Sequence, residues 1–218
     1  MTKEHFSIID IDLTLFPLEE ALLNYVRATV PEEANEFMFA LQNLPTYTVK
    51  RKIQAHAHKL PKLAALEGNA FIRQAGRCDA FHNTPPYQGS TEFLKKLHEL
   101  SDILIVTARG TASQPDKHYD KGYAMTSDYL HRHQLVHDQL IFSPDKTEAA
   151  QQYMLATGKQ PLLFFDDHPQ HIAHAQQHLT GLTLAMRRQR HNEDYLARCN
   201  GSIFIVDDLR ELADHLGL

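Results

Sequence analysis

The chain has 218 residues, of which 43% are hydrophobic and 22% are charged, and its net charge is −5 with histidine counted as neutral. A chain of this length can form one large domain, or a core with a smaller inserted module. The composition is that of an ordinary globular protein. The negative net charge gives no reason to expect binding to nucleic acid or to a phospholipid surface. A small phosphorylated metabolite stays possible as a partner, because it would respond to a local field and a metal ion.

Targeting signals are not evident in the sequence. Two cysteines, Cys78 and Cys199, are too few for a disulfide framework. The first five residues lead directly into a strand pattern and lack the apolar segment of a signal peptide. No apolar run reaches the length of a membrane span. We therefore expect a cytoplasmic protein that does not enter a membrane.

The first predicted strand is the apolar run 6–9, which ends at two aspartates, Asp10 and Asp12. Short apolar runs bounded by polar residues are typical of buried strands in parallel sheets. Residues 17–86 then have helical rather than strand character, and the pattern predicts an all-helical module of four or so helices. These helices are predicted at 18–26, 31–41, 49–56 and 61–71, with a break at Pro45 and Thr46.

From residue 87 onward, predicted helices and strands alternate. The helices cover 90–100, about 123–133, a segment from about 145, 168–178, 193–198 and a segment from 207. The strands cover 103–106, 139–142, 162–165, 182–186 and 203–206. This alternation predicts an α/β fold with a Rossmann-like parallel sheet between two layers of helices. We predict a core domain of residues 1–16 and 87–218, and an inserted helical domain of residues 17–86.

Polar residues stand where three predicted strands end and where one helix begins. They are Asp10 and Asp12, Thr107, Asp166 and Asp167, and, at the helix start, Lys146. Because parallel strands have their carboxyl ends at one edge of the sheet, these residues should share one crevice. Neighbouring carboxylates repel each other unless a cation lies between them, and Mg²⁺ is the oxygen-seeking ion that suits such a site.

These groups could together carry out phosphoryl transfer. Asp10 would attack phosphorus to give an aspartyl-phosphate. Asp12 would protonate the leaving oxygen and then activate the hydrolytic water. Asp166, with Asp10, would hold Mg²⁺.

Phosphate oxygens need donors of their own. The hydroxyl of Thr107 and the backbone N–H of Ala108 are candidates for this role. Lys146 would supply the positive charge that carboxylates and phosphate together require. Arg109, the next residue after Ala108, could contact the leaving group of the substrate or pair with an acid of the helical module.

The arrangement resembles the haloacid dehalogenase superfamily, whose pattern is Asp-x-Asp-x-Thr after the first strand, then a Thr or Ser, a Lys and paired acids on later elements. The matching segments are 10–14, Thr107 after 105–106, Lys146, and Asp166 and Asp167 after 164–165. The resemblance implies that the helical insertion is a cap over the site. It also implies that Asp12 binds the metal through its backbone carbonyl. Asp167 would either bind the metal through water or cap the next helix. The implied metal set is Asp10, Asp12, Asp166 and Asp167.

The second aspartate separates branches of this family. Dehalogenases lack it, because a halide leaving group needs no proton, so Asp12 favours a phosphatase or a phosphomutase. We therefore expect Mg²⁺-dependent hydrolysis of a small phosphate monoester. A phosphomutase and a weakly active metal-binding or phosphate-binding regulatory protein are the alternatives. Many members carry glycine after the second aspartate, where this chain has Leu13.

Ordinary structural roles are also open for these residues. Asp10 and Asp12 could form a strand-end turn, and Lys146 could simply belong to a helix start that Asp145 caps. The 15 histidines include four along one predicted helix: His168, His171, His174 and His178. We interpret them as helix-surface residues, because no cysteine or carboxylate of the pattern completes a transition-metal site.

Overall fold

The computed structural model describes residues 3–43, 49–66, 70–114, 121–199 and 201–218. Its centre is a six-stranded sheet with the order β3-β2-β1-β4-β5-β6, and every strand pair is parallel. The strands are β1 His5–Ile9, β2 Ser101–Thr107, β3 Gln139–Phe142, β4 Gln160–Asp166, β5 Thr183–Arg187 and β6 Phe204–Val206. The sheet confirms the predicted Rossmann-like α/β core.

Between β1 and residue 87 the described residues form helices and connecting loops, and they include no strand. The helices are α1 Leu18–Thr29, a 3₁₀ turn Pro31–Glu33, α2 Ala34–Asn43, α3 Val49–Ala55, α4 Pro61–Ala64, α5 Ala70–Ala75 and α6 Asp79–His82. The single helix expected over 61–71 is wrong, because α4 ends at Ala64 and α5 begins at Ala70. The expected break at Pro45 and Thr46 lies outside the described residues. The short helix α6 was not predicted.

Six further helices pack around the sheet. They are α7 Ser90–Leu100, α8 Gly122–Arg132, α9 Lys146–Thr157, α10 Pro169–His178, α11 Glu193–Leu196 and α12 Leu209–Leu216. Among the helices of the described ranges, none combines the length and the apolar composition that crossing a membrane would require.

The two faces of the sheet carry separate apolar clusters, as the alternation of side chains along a strand requires. Phe6 and Ile8 of β1 belong to the cluster that packs against α9 and α10. Ile9 belongs to the opposite cluster, which continues into the inserted helices through residues such as Phe16 and Phe37. Since this one cluster joins the sheet to the inserted segment, the division into core and cap domains stays a prediction.

A buried carboxylate joins two parts of the inserted segment. Glu33 is 4% exposed and accepts hydrogen bonds from the backbone N–H groups of Lys62 (2.7 Å) and Leu63 (3.1 Å). These N–H groups lie in the first turn of α4, where a helix has no partners of its own for them. Glu33 therefore stabilises the start of α4 and fixes it beside the 3₁₀ turn.

Candidate active site

Two central strands bring three carboxylates together. Ile9 at the end of β1 pairs with Phe165 of β4, and the backbone N–H of Asp10 donates to the carbonyl of Phe165 (2.9 Å). This register places Asp10 beside Asp166 and Asp167. All three side chains are buried, and one carboxylate oxygen of each lies within 4.8 Å of the other two.

Lys146 is the cation within this cluster. Its Nζ lies 2.6 Å from Oδ1 of Asp10 and 2.6 Å from Oδ2 of Asp166, and its side chain is only 2% exposed. The helix start itself is capped by Asp145, whose Oδ1 accepts from the N–H of Glu148 (2.9 Å). The capped helix start is therefore confirmed, and the role of Lys146 toward phosphate stays a prediction. The cap fixes α9, and α9 directs Lys146 into the site.

The three carboxyl groups differ in their pKa. Burial raises the pKa of Asp10 well above its usual value, against the opposing charge of Lys146. Burial also raises the pKa of Asp167, although the contact with His191 acts to lower it. For Asp166 burial is outweighed by the charge of Lys146 and the hydrogen bond with His171, and its pKa is lowered. One ammonium group therefore does not offset three buried carboxylates.

Histidines after β4 contact the cluster, which the sequence interpretation missed. Nδ1 of His171 lies 3.0 Å from Oδ2 of Asp166, and the backbone N–H of His168 donates to Oδ1 of Asp166 (2.8 Å). Burial and the proximity of His171 lower the pKa of the His168 side chain to about 4. The helix-surface interpretation is therefore wrong for His171, because the first turn of α10 begins directly at the site.

Asp167 is held from a loop that the sequence pattern did not single out. Nδ2 of Asn192 donates to the backbone carbonyl of Asp167 (2.7 Å), and Nε2 of His191 lies 3.0 Å from its Oδ2. Within the described residues, no donor reaches this buried Oδ2 in hydrogen-bonding geometry. The hydroxyl of Thr14 lies 3.5 Å from Oδ1 of Asp167 and 3.4 Å from Oδ2 of Asp10.

Asp12 is paired with Arg109 rather than with the carboxylate cluster. Nε of Arg109 donates to Oδ2 of Asp12 (2.8 Å), and a terminal nitrogen donates to Oδ1 (2.5 Å). The other terminal nitrogen donates to the hydroxyl of Thr126 on α8 (2.9 Å). The Arg109 side chain is 2% exposed, whereas that of Asp12 is 22% exposed. The acid that pairs with Arg109 thus comes from the first motif and not from the inserted helices.

The backbone adopts a left-handed conformation directly after Asp12. Leu13 has φ +59°, in the left-handed region that favours glycine. The chain turns back there, since the N–H of Leu13 donates to the carbonyl of Phe16 (2.8 Å) and the N–H of Phe16 donates to Ile11 (2.7 Å). Nε2 of Gln189 donates to the carbonyl of Leu13 (2.7 Å). These bonds hold a leucine in a conformation that costs about 1–2 kcal/mol.

Thr107 and Ala108 lie where β2 ends. The Thr107 side chain is buried, and its hydroxyl oxygen accepts from the backbone N–H of Arg109 (3.3 Å). Both residues line the same cavity as Asp10, Asp166 and Lys146. The predicted site residues are thus brought to one place by the sheet.

A cavity of about 310 Å³ extends from this polar site to the inserted helices. Its lining includes all of the predicted catalytic, phosphate-binding and metal-binding residues. On the opposite side it is lined by residues of α1, α3, α4 and α5 and by Leu66. Pockets of a few hundred cubic ångströms are typical of small-molecule sites.

No protein-family model matches the sequence, and no curated protein matches it by sequence. Solved structures match over the whole chain. The L-2-haloacid dehalogenase from Xanthobacter autotrophicus is 15% identical, with a TM-score of 0.58 and 99% of both chains covered. The magnesium-bound HAD-hydrolase YfnB from Bacillus subtilis is 14% identical, with a TM-score of 0.62 and 100% of both chains covered. The chain has the haloacid dehalogenase fold.

Other structures with the haloacid dehalogenase fold agree with this result. The defluorinating L-2-haloacid dehalogenase Rha0230 is 15% identical, with a TM-score of 0.61, and the match covers 98% of this chain and 95% of that one. Identities this low establish the fold alone. The chemistry of the site therefore depends on the residues of this chain.

The carboxylate cluster fits a divalent cation. Asp10, Asp166 and Asp167 offer oxygens close enough to share one ion, and carboxylate oxygens are the ligands that Mg²⁺ prefers. Oδ2 of Asp167 is buried and makes no hydrogen bond of good geometry among the described residues, although Nε2 of His191 lies 3.0 Å away as an ion-pair partner. A cation would give this oxygen a further partner, and buried polar atoms normally have their bonding capacity satisfied.

Proposed function

We propose that this protein is a Mg²⁺-dependent phosphatase that hydrolyses a small organic phosphate monoester through an aspartyl-phosphate on Asp10. The observation that carries the proposal is the buried cluster of Asp10, Asp166 and Asp167, with Lys146 as its cation and with Asp12 at the same cavity. A phosphate group entering this cavity would add negative charge to an excess of carboxylates. A divalent cation held by the three aspartates would offset that charge and keep Asp10 ionised.

In the first step, a carboxylate oxygen of Asp10 attacks phosphorus, and the bond from phosphorus to the ester oxygen breaks. Asp12 gives a proton to the departing oxygen. In the second step, Asp12 takes a proton from water while the water oxygen attacks phosphorus. The bond from phosphorus to Asp10 breaks, which releases inorganic phosphate and restores the carboxylate.

Phosphate binding falls to groups beside the nucleophile. The hydroxyl of Thr107 accepts from the N–H of Arg109 (3.3 Å), and its own hydrogen can then be donated to a phosphate oxygen. The backbone N–H of Ala108, at the cavity surface, would be a second donor. Lys146, within 2.6 Å of Asp10, would place its positive charge next to the phosphorus under attack.

Dehalogenation is the competing reaction for this fold, because several structural neighbours are haloacid dehalogenases. Asp12 argues against it in this chain. Asp12 lines the same cavity as the nucleophile, and a phosphate ester needs a proton donor there whereas a halide does not. Phosphomutase chemistry would use the same residues, but no contact of the described residues favours a second hydroxyl as the acceptor.

The test compares phosphate release from 4-nitrophenyl phosphate by the wild type, Asp10→Asn and Asp12→Asn in Mg²⁺. We expect Asp10→Asn to lose at least roughly a thousandfold in turnover, as removal of a nucleophile does, and Asp12→Asn to lose roughly 10²-fold or more. Asp128→Asn, an exposed change on α8, is the control and should retain wild-type turnover.

Two further measurements identify the reaction. Acid quenching with a ³²P-labelled ester should trap label on the wild type that hydroxylamine removes, and Asp10→Asn should trap none. Turnover retained by Asp10→Asn would contradict the nucleophile assignment. Chloride release from 2-chloropropionate without any phosphate release from esters would show a dehalogenase instead.

A further inference from the structure

The cavity has two ends of opposite chemistry. The polar end lies at the edge of the sheet. It is lined by four aspartates, by two histidines at the start of α10 and by four further residues: Asp10, Asp12, Asp166, Asp167, His168, His171, Thr107, Ala108, Arg109 and Lys146. The other end, here called the apolar wall, is formed by the inserted helices and the segment after α4. Its side chains include Leu18, Val49, Ile53, Leu66, Phe71 and Ile72.

Three polar residues also belong to the apolar wall: Glu19, Lys50 and Gln54. Glu19 is already engaged, since its Oε1 accepts from Nζ of the buried Lys52 (2.5 Å). Gln54 donates through Nε2 to the carbonyl of Ala64 (3.4 Å). Lys50 is exposed. Among the described residues, Glu19 and Gln54 thus each make one hydrogen bond within the protein, and most of the other side chains of the wall are apolar.

Part of the apolar wall is still in contact with solvent. Leu18, Leu66 and Ile72 are partly exposed, although each packs on the main apolar cluster. An apolar ligand that covers this surface would bind favourably, because apolar surface is then removed from water. A ligand with many hydroxyl groups would instead lose water from those hydroxyls that face the apolar side chains of the wall, which offer them no hydrogen bond, and this disfavours its binding.

We propose that the substrate is the phosphate monoester of a small apolar alcohol or phenol, with its phosphate at the polar end and its hydrocarbon group against the apolar wall. This inference rests on the proposed phosphatase function and names the substrate class for the same site. It assigns Leu66 and Ile72 as specificity-determining residues. Sugar phosphates and other polyol phosphates should be poor substrates.

The test uses a matched pair of substrates, cyclohexylmethyl phosphate and glucose 6-phosphate. Both are primary alkyl esters that carry a six-membered ring, and they differ chiefly in hydroxyl groups. We expect kcat/KM of the wild type to favour cyclohexylmethyl phosphate roughly a hundredfold, because the wall would leave several hydroxyls unpaired. Acetyl phosphate offers little apolar surface to the wall. Phosphate release from it therefore measures phosphoryl transfer independently of contacts with the wall.

Variants of the wall test the assignment of its residues. Ile72→Asn and Leu66→Asn should each lower the ratio of the two kcat/KM values by roughly tenfold. Met38→Asn is the matched control, because Met38 is also a partly buried apolar residue of the inserted helices but does not line the cavity. It should leave the ratio unchanged.

The outcomes separate this inference from the proposed function. Phosphate release with a wild-type ratio near one, or with a preference for glucose 6-phosphate, would overturn the substrate class alone. An unchanged ratio in both folded wall variants would overturn the residue assignment. No phosphate release from either ester or from acetyl phosphate would overturn the proposed function, and this inference with it.

Discussion

Arg109 holds both carboxylate oxygens of Asp12, at 2.8 Å and 2.5 Å. A planar guanidinium can bind a carboxylate through two parallel hydrogen bonds, which a lysine cannot do. A third hydrogen bond, to Thr126 (2.9 Å), fixes Arg109 to α8, and its guanidinium lies 5.2 Å from the ring of Phe16. Arg109 is therefore a positioning residue that orients Asp12, the proposed general acid and base.

Replacement of Arg109 by lysine tests this role. Arg109→Lys keeps the positive charge but loses the two-point contact, so we expect kcat to fall roughly tenfold or more. The expected change in KM is smaller, since Thr107, Ala108 and Lys146 would still bind phosphate. Steady-state kinetics with 4-nitrophenyl phosphate measure both constants.

The control for this experiment is Arg132→Lys at the end of α8. Arg132 is exposed and bonds to Oδ1 of Asn83 (2.6 Å), away from the cavity lining. It should leave both constants unchanged. An Arg109→Lys variant with wild-type kcat and an unchanged Tm would show that the pairing with Asp12 has no part in turnover.

At the scale of elements, Asp102 joins β2 to its neighbours at the end of the sheet away from the site. Oδ2 of Asp102 accepts from the hydroxyl of Tyr153 on α9 (2.6 Å) and also from Nζ of Lys159, next to β4. Burial acts to raise the pKa of this carboxyl group, but the hydrogen bonds from Lys159 and Tyr153 outweigh it and lower the pKa. The ionised form of Asp102 therefore stabilises the fold.

The lowered pKa predicts how stability depends on pH. A carboxyl whose pKa is depressed by folding contributes stability that is fully present above its unfolded pKa of about 3.9 and is lost as pH falls through the folded value. We expect Asp102→Asn to lower the free energy of unfolding by about 1 kcal/mol at pH 7. Below about pH 4 the difference from the wild type should shrink.

Urea unfolding of both proteins between pH 2.5 and pH 7 measures this difference. Asp214→Asn, an exposed change on α12, is the control and should show no comparable dependence on pH. A deficit for Asp102→Asn that stays constant to pH 2.5 would contradict the assignment.

At the scale of the whole molecule, the site is assembled from segments far apart in the sequence. Asp10 follows β1, Lys146 begins α9 and Asp166 ends β4. The fold brings both aspartates within hydrogen-bonding distance of Lys146. A cation shared by Asp10, Asp166 and Asp167 would bind the folded chain and not the unfolded one. It would therefore stabilise the fold by mass action.

We therefore expect Mg²⁺ to raise Tm, by an amount that corresponds to about 2.7 kcal/mol when its concentration is a hundred times Kd. Differential scanning fluorimetry after treatment with EDTA, followed by addition of Mg²⁺, measures this change. Asp166→Asn should lose the Mg²⁺-dependent rise, whatever its Tm without metal, and Asp128→Asn should keep it. A rise of equal size in Asp166→Asn would place the ion elsewhere.

Much of the core was predictable because its signals are local. The strand Gln139–Phe142 and the helix Ser90–Leu100 have the predicted bounds, since short apolar runs and helical spacing identify buried elements. The inserted helices were less predictable. The helical pattern over 61–71 does not reveal that α4 ends at Ala64 or that a turn follows at Ala65 and Leu66.

The linear pattern predicts which residues lie at strand ends and helix starts, and hence that Asp10, Thr107, Lys146 and Asp166 should meet. That result needs only chain order and the rule that parallel strands end at one edge. The pairing of Asp12 with Arg109 and the contacts of His171 and His191 with the acids are visible only in the folded chain. Such contacts depend on the orientation of side chains from separate elements, which a linear pattern does not encode.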